Sequence, residues 1–369
     1  MKSVSIVALL LISILTPDEI NAQQHKKPLK IGIAGLTHTH VHWLLGREDL
    51  GDIEIVGIAE ANRELAQRYA EQHGYSMDIV FDSLEEMIAK TQPEAVTAFG
   101  SIFDHLAIVE TCAPKGIHVM VEKPLAVSLA HAKKMKGLAE KHDIVLLTNY
   151  ETTWYPTNHK AAEMIAKDEI GNLRKIVVHD GHKGPKEIGV NQEFLDWLTD
   201  PVLNGGGAIT DFGCYGANLI TWLKKGEKPE AVFALTQTLK PDVYPYVDDE
   251  ATIILEYKNM QGIIQASWNW PISRKDMEIY GEHGTVFCDN RNKLRFQKDE
   301  ESEEIAEHLD ERPYPYNDPF ALFAAVIQKK HQLPPFALSS LENNMIVMEI
   351  LEAAKESAKT GKKMKLQKE

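Results

Sequence analysis

The stretch 29-LKIGIAGLTHTHVHWLL-45 decides the fold. It begins with an apolar run, Leu29 to Ala34, of the kind that forms a strand covered on both faces. Gly35 follows at once, and an amphipathic pattern that predicts a helix comes next. A strand that turns at a glycine into a helix is typical of alternating strand–helix proteins. The stretch therefore predicts the opening of a parallel, doubly wound sheet.

The same alternation continues to about residue 148. Further apolar runs at 53–59, 94–99, 117–121 and 144–148 predict strands, with helical patterns between them. Beyond residue 150, strand patterns follow one another directly, and several alternate apolar with polar residues, which indicates a mainly antiparallel sheet. We therefore predict an α/β fold with two domains. They are a doubly wound domain over residues 28–148 and an α+β domain with a mainly antiparallel open sheet over residues 149–369.

Composition and charge narrow the classes of partner. The 369 residues are 44% hydrophobic and 25% charged, and the formal net charge is −14. This is an ordinary globular composition. So acidic a chain is not expected to bind nucleic acid, because nucleic acid requires a basic surface. The three cysteines are widely spaced and predict neither a disulfide framework nor a zinc site.

The N-terminus has the pattern of a secretory signal peptide. Lys2 precedes an apolar run, 4–16, that is short for a membrane span, and a polar stretch then leads to a cleavage point at Ala22. We expect residues 1–22 to be removed, which leaves an exported, periplasmic or secreted protein without a membrane span. An uncleaved anchor is the alternative interpretation of this segment.

The loop after the first strand departs from the dinucleotide-binding pattern. A G-x-G-x-x-G loop uses its glycines for a tight turn and for close approach of the backbone to pyrophosphate at a helix N-terminus. Gly35 keeps the first of these positions, while Thr37 and His40 replace the second and third glycines. We expect Gly35, Thr37 and His40 to contact a cofactor nonetheless.

The histidines of 38-HTHVH-42 allow two functional interpretations, beside a purely structural role. The first is that His38 and His40 make polar contacts to a cofactor. The second is a metal site, in which His38 and His42 share one helical face and His40 does not. No obvious carboxylate nearby completes a ligand set, so we predict no metal.

Glu60 ends the second predicted strand. An acidic residue near this place holds the ribose hydroxyls of a bound adenosine. A carboxylate there repels a 2′-phosphate, so the sequence favours NAD over NADP. The competing interpretation is an ordinary surface glutamate at the end of a strand.

The segment 118-HVMVEKPLA-126 carries a lysine suited to catalysis. Lys123 follows a buried run at the carboxyl end of a predicted strand, where doubly wound sheets bind their ligands. A lysine there is suited to bind a substrate hydroxyl and to hold developing negative charge. Glu122 is placed to pair with it, and a plain structural ion pair is the alternative.

A second such segment is 204-NGGGAITDFGCYGANLITWL-223. Its glycine run leads into a predicted helix on which Asp211, Tyr215 and Asn218 are expected to share one face. A phenol next to a lysine is expected to have a lowered pKa and to exchange protons. The glycines predict close backbone approach.

Taken together, these motifs resemble the glucose–fructose oxidoreductase, inositol dehydrogenase and rhizopine-catabolism (Gfo/Idh/MocA) family. The resemblance covers about residues 28–360 and rests on the opening strand with Gly35, on 122-EKP-124 and on 205-GGGAITDFGCYGAN-218. It implies a Rossmann domain that binds NAD(P) and a C-terminal domain that binds a sugar or cyclitol substrate. It also implies a homo-oligomer formed through the C-terminal sheet.

Carried over residue by residue, the resemblance implies that Lys123, Asp211 and Tyr215 are catalytic. Tyr215 stands where many members have histidine, and His105 is retained from a cofactor-binding segment of the family. The predicted cofactor-binding residues are Gly35, Thr37, His38, His40, Glu60, His105, Glu122 and Lys123. The predicted substrate-binding residues are Lys123, Tyr215, Asn218 and Trp154.

Four functions are compatible with the sequence. The one we predict is an oxidoreductase that acts on sugar hydroxyls with tightly bound, recycled NAD, because an exported protein has no free cofactor pool. The second is glycosidic cleavage through transient oxidation by NAD. The third is a lyase or hydratase with a metal at 38-HTHVH-42, and the fourth is a catalytically silent sugar-binding module.

Overall fold

The computed structural model describes residues 27–366, so the predicted signal peptide at residues 1–22 lies outside the described residues. Within the described range, no helix is both long enough and apolar enough to cross a membrane. Two sheets organise this range, one with six strands and one with nine. All three cysteines are buried and unpaired, which confirms the absence of a disulfide framework.

The six-stranded sheet is built from the N-terminal part of the chain. Its strands are β1 (Leu29–Ala34), β2 (Ile53–Ala59), β3 (Val80–Phe81), β4 (Ala95–Ala98), β5 (His118–Glu122) and β6 (Leu146–Asn149). Its helices are α1 (Val41–Leu45), α2 (Arg63–His73), α3 (Leu84–Thr91), α4 (His105–Cys112) and α5 (Leu129–His142). The strand order is β3-β2-β1-β4-β5-β6 and every pair is parallel. This is the Rossmann order, so the predicted fold class is confirmed.

The nine-stranded sheet follows. Its strands are β7 (Lys175–Gly181), β8 (Ala231–Gln237), β9 (Glu250–Glu256), β10 (Gln261–Ser267), β11 (Arg274–Tyr280), β12 (Thr285–Cys288), β13 (Lys293–Gln297), β14 (Ile305–His308) and β15 (Met364–Lys365). Only the pairing of β7 with β10 is parallel among the pairs of this sheet. The mainly antiparallel second sheet is thereby confirmed.

The helices of this second part cover one face of the nine-stranded sheet or lie between the two sheets. They are α6 (Pro156–Ala166), α7 (Pro185–Ile188), α8 (Gln192–Leu198), α9 (Ala208–Asp211), α10 (Gly213–Leu223), α11 (Pro319–Ile327) and α12 (Leu341–Thr360). Short 3₁₀ turns lie at Met77–Ile79, Ile102–Asp104, Ala113–Lys115 and Glu151–Trp154. The two long helices α10 and α12 pack on each other and on the sheet.

Helix α11 does not stay with the C-terminal sheet. Its residues Phe320 and Phe323 are completely buried in the same hydrophobic cluster as Leu29 and Ile31 of β1. Arg47, at the end of the first Rossmann helix, forms an ion pair with Asp318 at the start of α11. The C-terminal part of the chain therefore supplies part of the core of the N-terminal sheet.

The single helix predicted between the glycine run and Leu223 is in fact two helices. α9 ends at Asp211, Phe212 interrupts the helical hydrogen bonding, and α10 starts at Gly213. The expectation of one shared face holds for Asp211 and Tyr215, which line one cavity, and is wrong for Asn218, whose amide donates to the Leu338 carbonyl.

The glycine run of residues 205–207 closes tightly around Asp248. The Asp248 carboxylate accepts hydrogen bonds from the N–H groups of Gly207 at 2.9 Å and Ile209 at 2.7 Å, while its carbonyl accepts from Ala208 at 2.9 Å. A Cβ atom on Gly207 would lie 1.8 Å from the Asp248 carbonyl oxygen. The backbone of the glycine run does approach another group closely, as predicted, and that group is Asp248 of the protein itself.

We expect Gly207→Ala to lower the free energy of unfolding by about 1–3 kcal/mol, because the added methyl group has no space. Gly137→Ala in α5 is the matched control, since nothing lies within 4 Å of its added Cβ. Removing a glycine from a helix interior there should stabilise the protein by about 1 kcal/mol. Urea denaturation measures both, and equal unfolding free energies of the two variants would contradict this account.

Candidate active site

Lys123 and Asp211 form the buried centre of the site. Lys123 follows β5 at the carboxyl edge of the parallel sheet, and Asp211 ends α9. The Lys123 ammonium donates to the Asp211 carboxylate and, at 3.0 Å, to the Asp211 backbone oxygen. The indole N–H of Trp268, just after β10, donates to the second carboxylate oxygen at 3.0 Å. The three residues therefore connect both sheets at one point.

The two charges stabilise each other in spite of burial. Burial lowers the pKa of Lys123, but the Asp211 carboxylate raises it more, so the pKa of Lys123 lies above its ordinary value. For Asp211, burial raises the pKa and the Lys123 ammonium lowers it more, so the net shift is downward. A permanently charged ammonium, held in a fixed position, is suited to stabilise an oxygen that gains negative charge.

A cavity of about 710 Å³ opens beside this pair. Five residues predicted from the sequence line it: His38, His40, Lys123, Asp211 and Tyr215. The structure thus brings the three predicted catalytic residues together in one space, at the carboxyl edge of the parallel sheet. A concave space of this size, with a few convergent polar groups, is typical of a small-molecule site.

Tyr215 differs from its prediction in its acidity. Burial first, and then the nearby carboxyl groups of Glu151 and Asp180, raise the pKa of Tyr215 well above its ordinary value. The ammonium of Lys123 lies 5.2 Å from the centre of the Tyr215 ring. The predicted lowering of the pKa is therefore wrong, and Tyr215 presents a neutral phenol to the cavity.

A second, smaller space of about 290 Å³ lies on the Rossmann part. Gly35, Thr37 and Glu60 line it, as expected for residues that hold the adenosine end of a dinucleotide. Gly35 has φ +80° and a Cβ there would lie 2.8 Å from the Gly100 backbone nitrogen, so the loop requires glycine. These residues fit the adenosine end of NAD.

Residues 36–38, in the loop after β1, form hydrogen bonds with other groups of the protein. The Glu60 carboxylate accepts from the Leu36 N–H at 2.9 Å, and the Thr37 hydroxyl oxygen accepts from the Trp197 indole at 3.0 Å. The His38 N–H donates to the Phe99 carbonyl at 2.8 Å. Helix α8, which carries Trp197, therefore packs directly on this loop and fixes its conformation.

The histidines of this loop lie close to the Glu122 carboxylate, a contact that the sequence analysis did not predict. His40 Nδ1 lies 2.8 Å from a Glu122 oxygen, and His38 Nε2 lies 3.9 Å from the same oxygen. His42 points elsewhere and contacts His73 at 2.8 Å. The expectation that His38 and His42 lie together without His40 is wrong, because α1 begins only at Val41. The expectation that no carboxylate is near is wrong too.

Four further titratable residues of the cavity were missed: Lys275, Asp180, Glu151 and His182. Lys275, on β11, lies opposite Asp180 of β7 in the sheet register, with 3.9 Å between its ammonium and an Asp180 oxygen. Lys275 also donates to Glu151 at 2.6 Å. His182, just after β7, lines the same cavity. The sequence signal was 179-HDGHKGP-185, a polar cluster at the carboxyl end of a strand.

The pKa values of Glu151 and Asp180 are shifted in opposite directions although both face the same lysine. Burial raises the pKa of Asp180 well above its ordinary value, and neither of its carboxyl oxygens has a hydrogen-bond partner within residues 27–366. Burial also raises the pKa of Glu151, but Lys275 lowers it more, to about 2. The cavity therefore presents two carboxyl groups whose environments push their pKa values apart, which is an arrangement suited to acid–base chemistry.

Four predicted residues lie away from both spaces: Asn218, Trp154, His105 and Glu122. Asn218 is completely buried and donates to the Leu338 carbonyl at 2.8 Å, so its amide points away from the cavity. Trp154 is buried and donates to the Asn149 side chain at 3.1 Å. The His105 ring contacts the Leu125 carbonyl at 3.1 Å, which positions the loop that follows Lys123.

Family models match most of the chain. The model of an oxidoreductase family with an NAD-binding Rossmann fold matches residues 29–150. The model of the GFO/IDH/MocA C-terminal domain matches residues 158–287.

A similar curated protein is the trans-1,2-dihydrobenzene-1,2-diol dehydrogenase of Xenopus laevis, which is 29% identical over 239 residues, or 64% of this chain and 67% of that protein. The corresponding enzyme of Sus scrofa is 24% identical over 252 residues, or 68% of this chain and 70% of that one.

Solved structures show the same fold. The aldose-aldose oxidoreductase of Caulobacter crescentus, solved with glycerol, has a TM-score of 0.77 at 19% identity, and the match covers 92% of this chain and all of that one. An inositol dehydrogenase homologue of Azotobacter vinelandii, solved with NAD+, has a TM-score of 0.80 at 18% identity, with 93% and 98% covered. The models of the N-terminal and C-terminal domains of one family match successive parts of this chain. The chain is therefore an enzyme of the Gfo/Idh/MocA family of NAD-binding oxidoreductases.

Proposed function

We propose that this enzyme oxidises or reduces a hydroxyl-bearing carbon of a sugar or sugar derivative, with NAD that stays bound and is recycled between substrates. The observation that carries the proposal is the buried Lys123–Asp211 pair, which presents an ammonium to a polar cavity. The names of the similar proteins, an aldose-aldose oxidoreductase and diol dehydrogenases, support a substrate with several hydroxyl groups.

The cofactor would be held from both spaces. Gly35, Thr37 and Glu60 would bind its adenosine end in the groove, and Lys123 would face its nicotinamide end from the cavity. The carboxylate of Glu60 disfavours a 2′-phosphate, which supports NAD over NADP. When bound, NAD accepts a hydride from carbon or returns it.

Lys123 binds the substrate oxygen in this proposal. Its ammonium donates a hydrogen bond to the hydroxyl oxygen and stabilises the negative charge that grows there as the proton leaves. Asp211 accepts hydrogen bonds from that ammonium and holds it in place, and the indole of Trp268 in turn holds the Asp211 carboxylate. Tyr215, a neutral phenol, donates a further hydrogen bond from the cavity wall.

Asp180 exchanges the proton. As a neutral acid it gives a proton to the substrate oxygen in the direction of reduction, and its carboxylate takes the proton in the direction of oxidation. Lys275 lies 3.9 Å from Asp180 and stabilises the carboxylate when the proton has left. The raised pKa of Asp180 brings it nearer to neutral pH, where proton exchange in both directions is fastest.

Glycosidic cleavage through transient oxidation is the second candidate. The observation that favours it is the raised pKa of Asp180 beside the lowered pKa of Glu151, because elimination requires one group to take a proton and another to give one to the leaving oxygen. Incubation with glycosides distinguishes the two. Release of free sugar without net change of NAD supports cleavage, and a keto or reduced sugar as the sole product supports the first candidate.

We further propose that the chain is exported after removal of residues 1–22, and that it forms a homo-oligomer through the nine-stranded sheet. Phe233, Leu235 and Ile254 lie on the outer face of β8 and β9, and Leu235 is 58% exposed. Such an apolar surface is typical of a protein interface. The N-terminal sequence of the mature chain and its mass in solution test the two statements.

We expect the purified mature chain to release close to one NAD per chain when it is denatured, because the groove and cavity would hold both ends of the cofactor. Mass spectrometry of the released small molecules measures this. Absence of any nicotinamide from active protein would contradict the proposed function.

We expect Lys123→Ala to lower kcat/KM by roughly 10²–10³-fold, because the substrate oxygen loses the ammonium group that would bind it. Loss of the lysine also leaves Asp211 buried and unpaired, which destabilises the fold. The double variant Lys123→Met with Asp211→Asn removes both charges and keeps the shapes, so it separates folding from catalysis. Lys136→Ala, at an exposed helix position, is the control, and equal activity of all three variants would refute the role of Lys123.

We expect Asp180→Asn to change the pH profile of turnover. In the wild type, the rate of reduction should fall, and that of oxidation should rise, as pH increases through the raised pKa of Asp180. The asparagine variant should lose this dependence and about 10²–10⁴-fold in rate. The variant keeps the other charged side chains that act on position 180, which are Lys275, Glu151, Lys123 and Asp211. A pH profile unchanged by the substitution would show that another group exchanges the proton.

A further inference from the structure

Glu122 is a buried carboxylate that is paired with no lysine or arginine among residues 27–366. Its side chain is 1% exposed. One oxygen accepts from the Asn149 amide at 2.9 Å, and the other faces the rings of His40 and His38. The ammonium of Lys123, next in the chain, is bound to Asp211 instead. A buried carboxylate is stable when it is paired with a cation or coordinates a metal.

His38 adds an unsatisfied nitrogen directed at the same place. Its ring is 1% exposed, and its Nε2 atom has no hydrogen-bond partner within the described residues. The rings of Phe194 and Trp197 pack against it and fix its orientation. A buried polar atom without a partner is unfavourable unless a ligand satisfies it.

The three groups are close enough to bind one ion. One ring nitrogen from each histidine and a Glu122 oxygen all lie within 4.8 Å of one another. Ligand atoms that surround one zinc ion at about 2.0–2.2 Å are roughly 3–4 Å apart, so only small side-chain movements are needed. Two imidazoles and one carboxylate form the ligand set of open zinc sites and of non-haem iron(II) sites.

We propose that His38, His40 and Glu122 bind one divalent transition-metal ion whose free coordination positions face the cavity. Both histidines line that cavity, so an oxygen of the bound substrate can reach the ion. Asn149 pairs with Glu122 in the register of β5 and β6 and orients the carboxylate from behind. Such outer partners are typical of metal sites. This inference goes beyond the proposed function and assigns these three residues a role other than contact with nicotinamide.

The ring of His38 must change its tautomer to bind through Nε2. Its Nδ1 accepts the His40 N–H at 3.1 Å, which places the proton of the neutral ring on Nε2. Coordination through Nε2 gives up this one neutral hydrogen bond. The exchange favours the ion, because a metal–nitrogen bond is much stronger than a neutral hydrogen bond between protein groups.

A second cluster, formed by His179, Asp276 and Glu278, does not support the same inference. The guanidinium of Arg274 already lies 2.7 Å from Asp276 and 3.2 Å from His179. A cation of the protein therefore occupies that place, and the cluster serves as an internal comparison.

The test is zinc binding by the purified full-length mature chain after treatment with EDTA. We expect one Zn²⁺ per chain by elemental analysis after gel filtration. His38→Ala, His40→Ala and Glu122→Gln should each weaken binding by roughly 100-fold or more, since even outer partners of a metal contribute about 10–100-fold. His42→Ala is the matched control from the same segment, and it should bind as tightly as the wild type because His42 contacts His73. His179→Ala should also bind normally.

Cobalt provides a readout that unfolding does not imitate. Co²⁺ bound by imidazole nitrogen gives visible absorption bands, which should be present in the wild type and in His42→Ala and absent in His40→Ala. Circular dichroism shows which variants are folded. No zinc binding by the wild type, or equal loss in His42→Ala and His40→Ala, would overturn the proposal.

The NAD content of the same samples separates the two proposals. Protein that contains NAD and binds no zinc refutes the metal site alone. Protein that binds zinc at these residues and contains no nicotinamide supports the metal site and refutes the proposed nicotinamide-dependent function.

Discussion

The ion pair between Lys123 and Asp211 is the interaction on which the arrangement of the site depends. It joins the carboxyl edge of the parallel sheet to the short helix α9, and the indole of Trp268 adds a contact from the second sheet. Because both charges are buried, removal of either one leaves the other without compensation, at a penalty of about 3–5 kcal/mol. The two sheets are thus held in the relative position that creates the cavity.

The titratable side chains around this pair differ in pKa according to their positions in the cavity. Lys123 and Lys275 supply two ammonium groups, which lower the pKa values of Asp211 and Glu151, whereas burial raises the pKa of Asp180 in spite of Lys275. Polar side chains that differ in pKa within one space are able to bind a hydroxyl and move its proton at the same time. The loop that carries His38 and His40 forms the opposite wall.

The structural features that depend on the local pattern of residues could be predicted from the sequence. The alternation of strands and helices, Gly35 in its turn, Lys123 at the end of β5 and the close approach of the glycine run are all readable from neighbouring residues. The meeting of Asp180 with Lys275 is not, because it follows from the antiparallel register of β7 and β11. Likewise, Glu122 reaches the loop histidines only because the strand order places β5 next but one to β1, with β4 between them. The break between α9 and α10 is marked only by Gly213, a weak signal, because single glycines also occur inside helices.

Helix α11 has a consequence for how this protein is assembled. The strand β1 is the first to be synthesised, yet Phe320 and Phe323, which cover it, come almost at the end of the chain. The N-terminal sheet is therefore left with exposed apolar surface until nearly the whole polypeptide is available. Exchange of this domain between related chains would require residues 29–149 and 319–327 to be transferred together, since the sequence boundary and the physical boundary of the core differ.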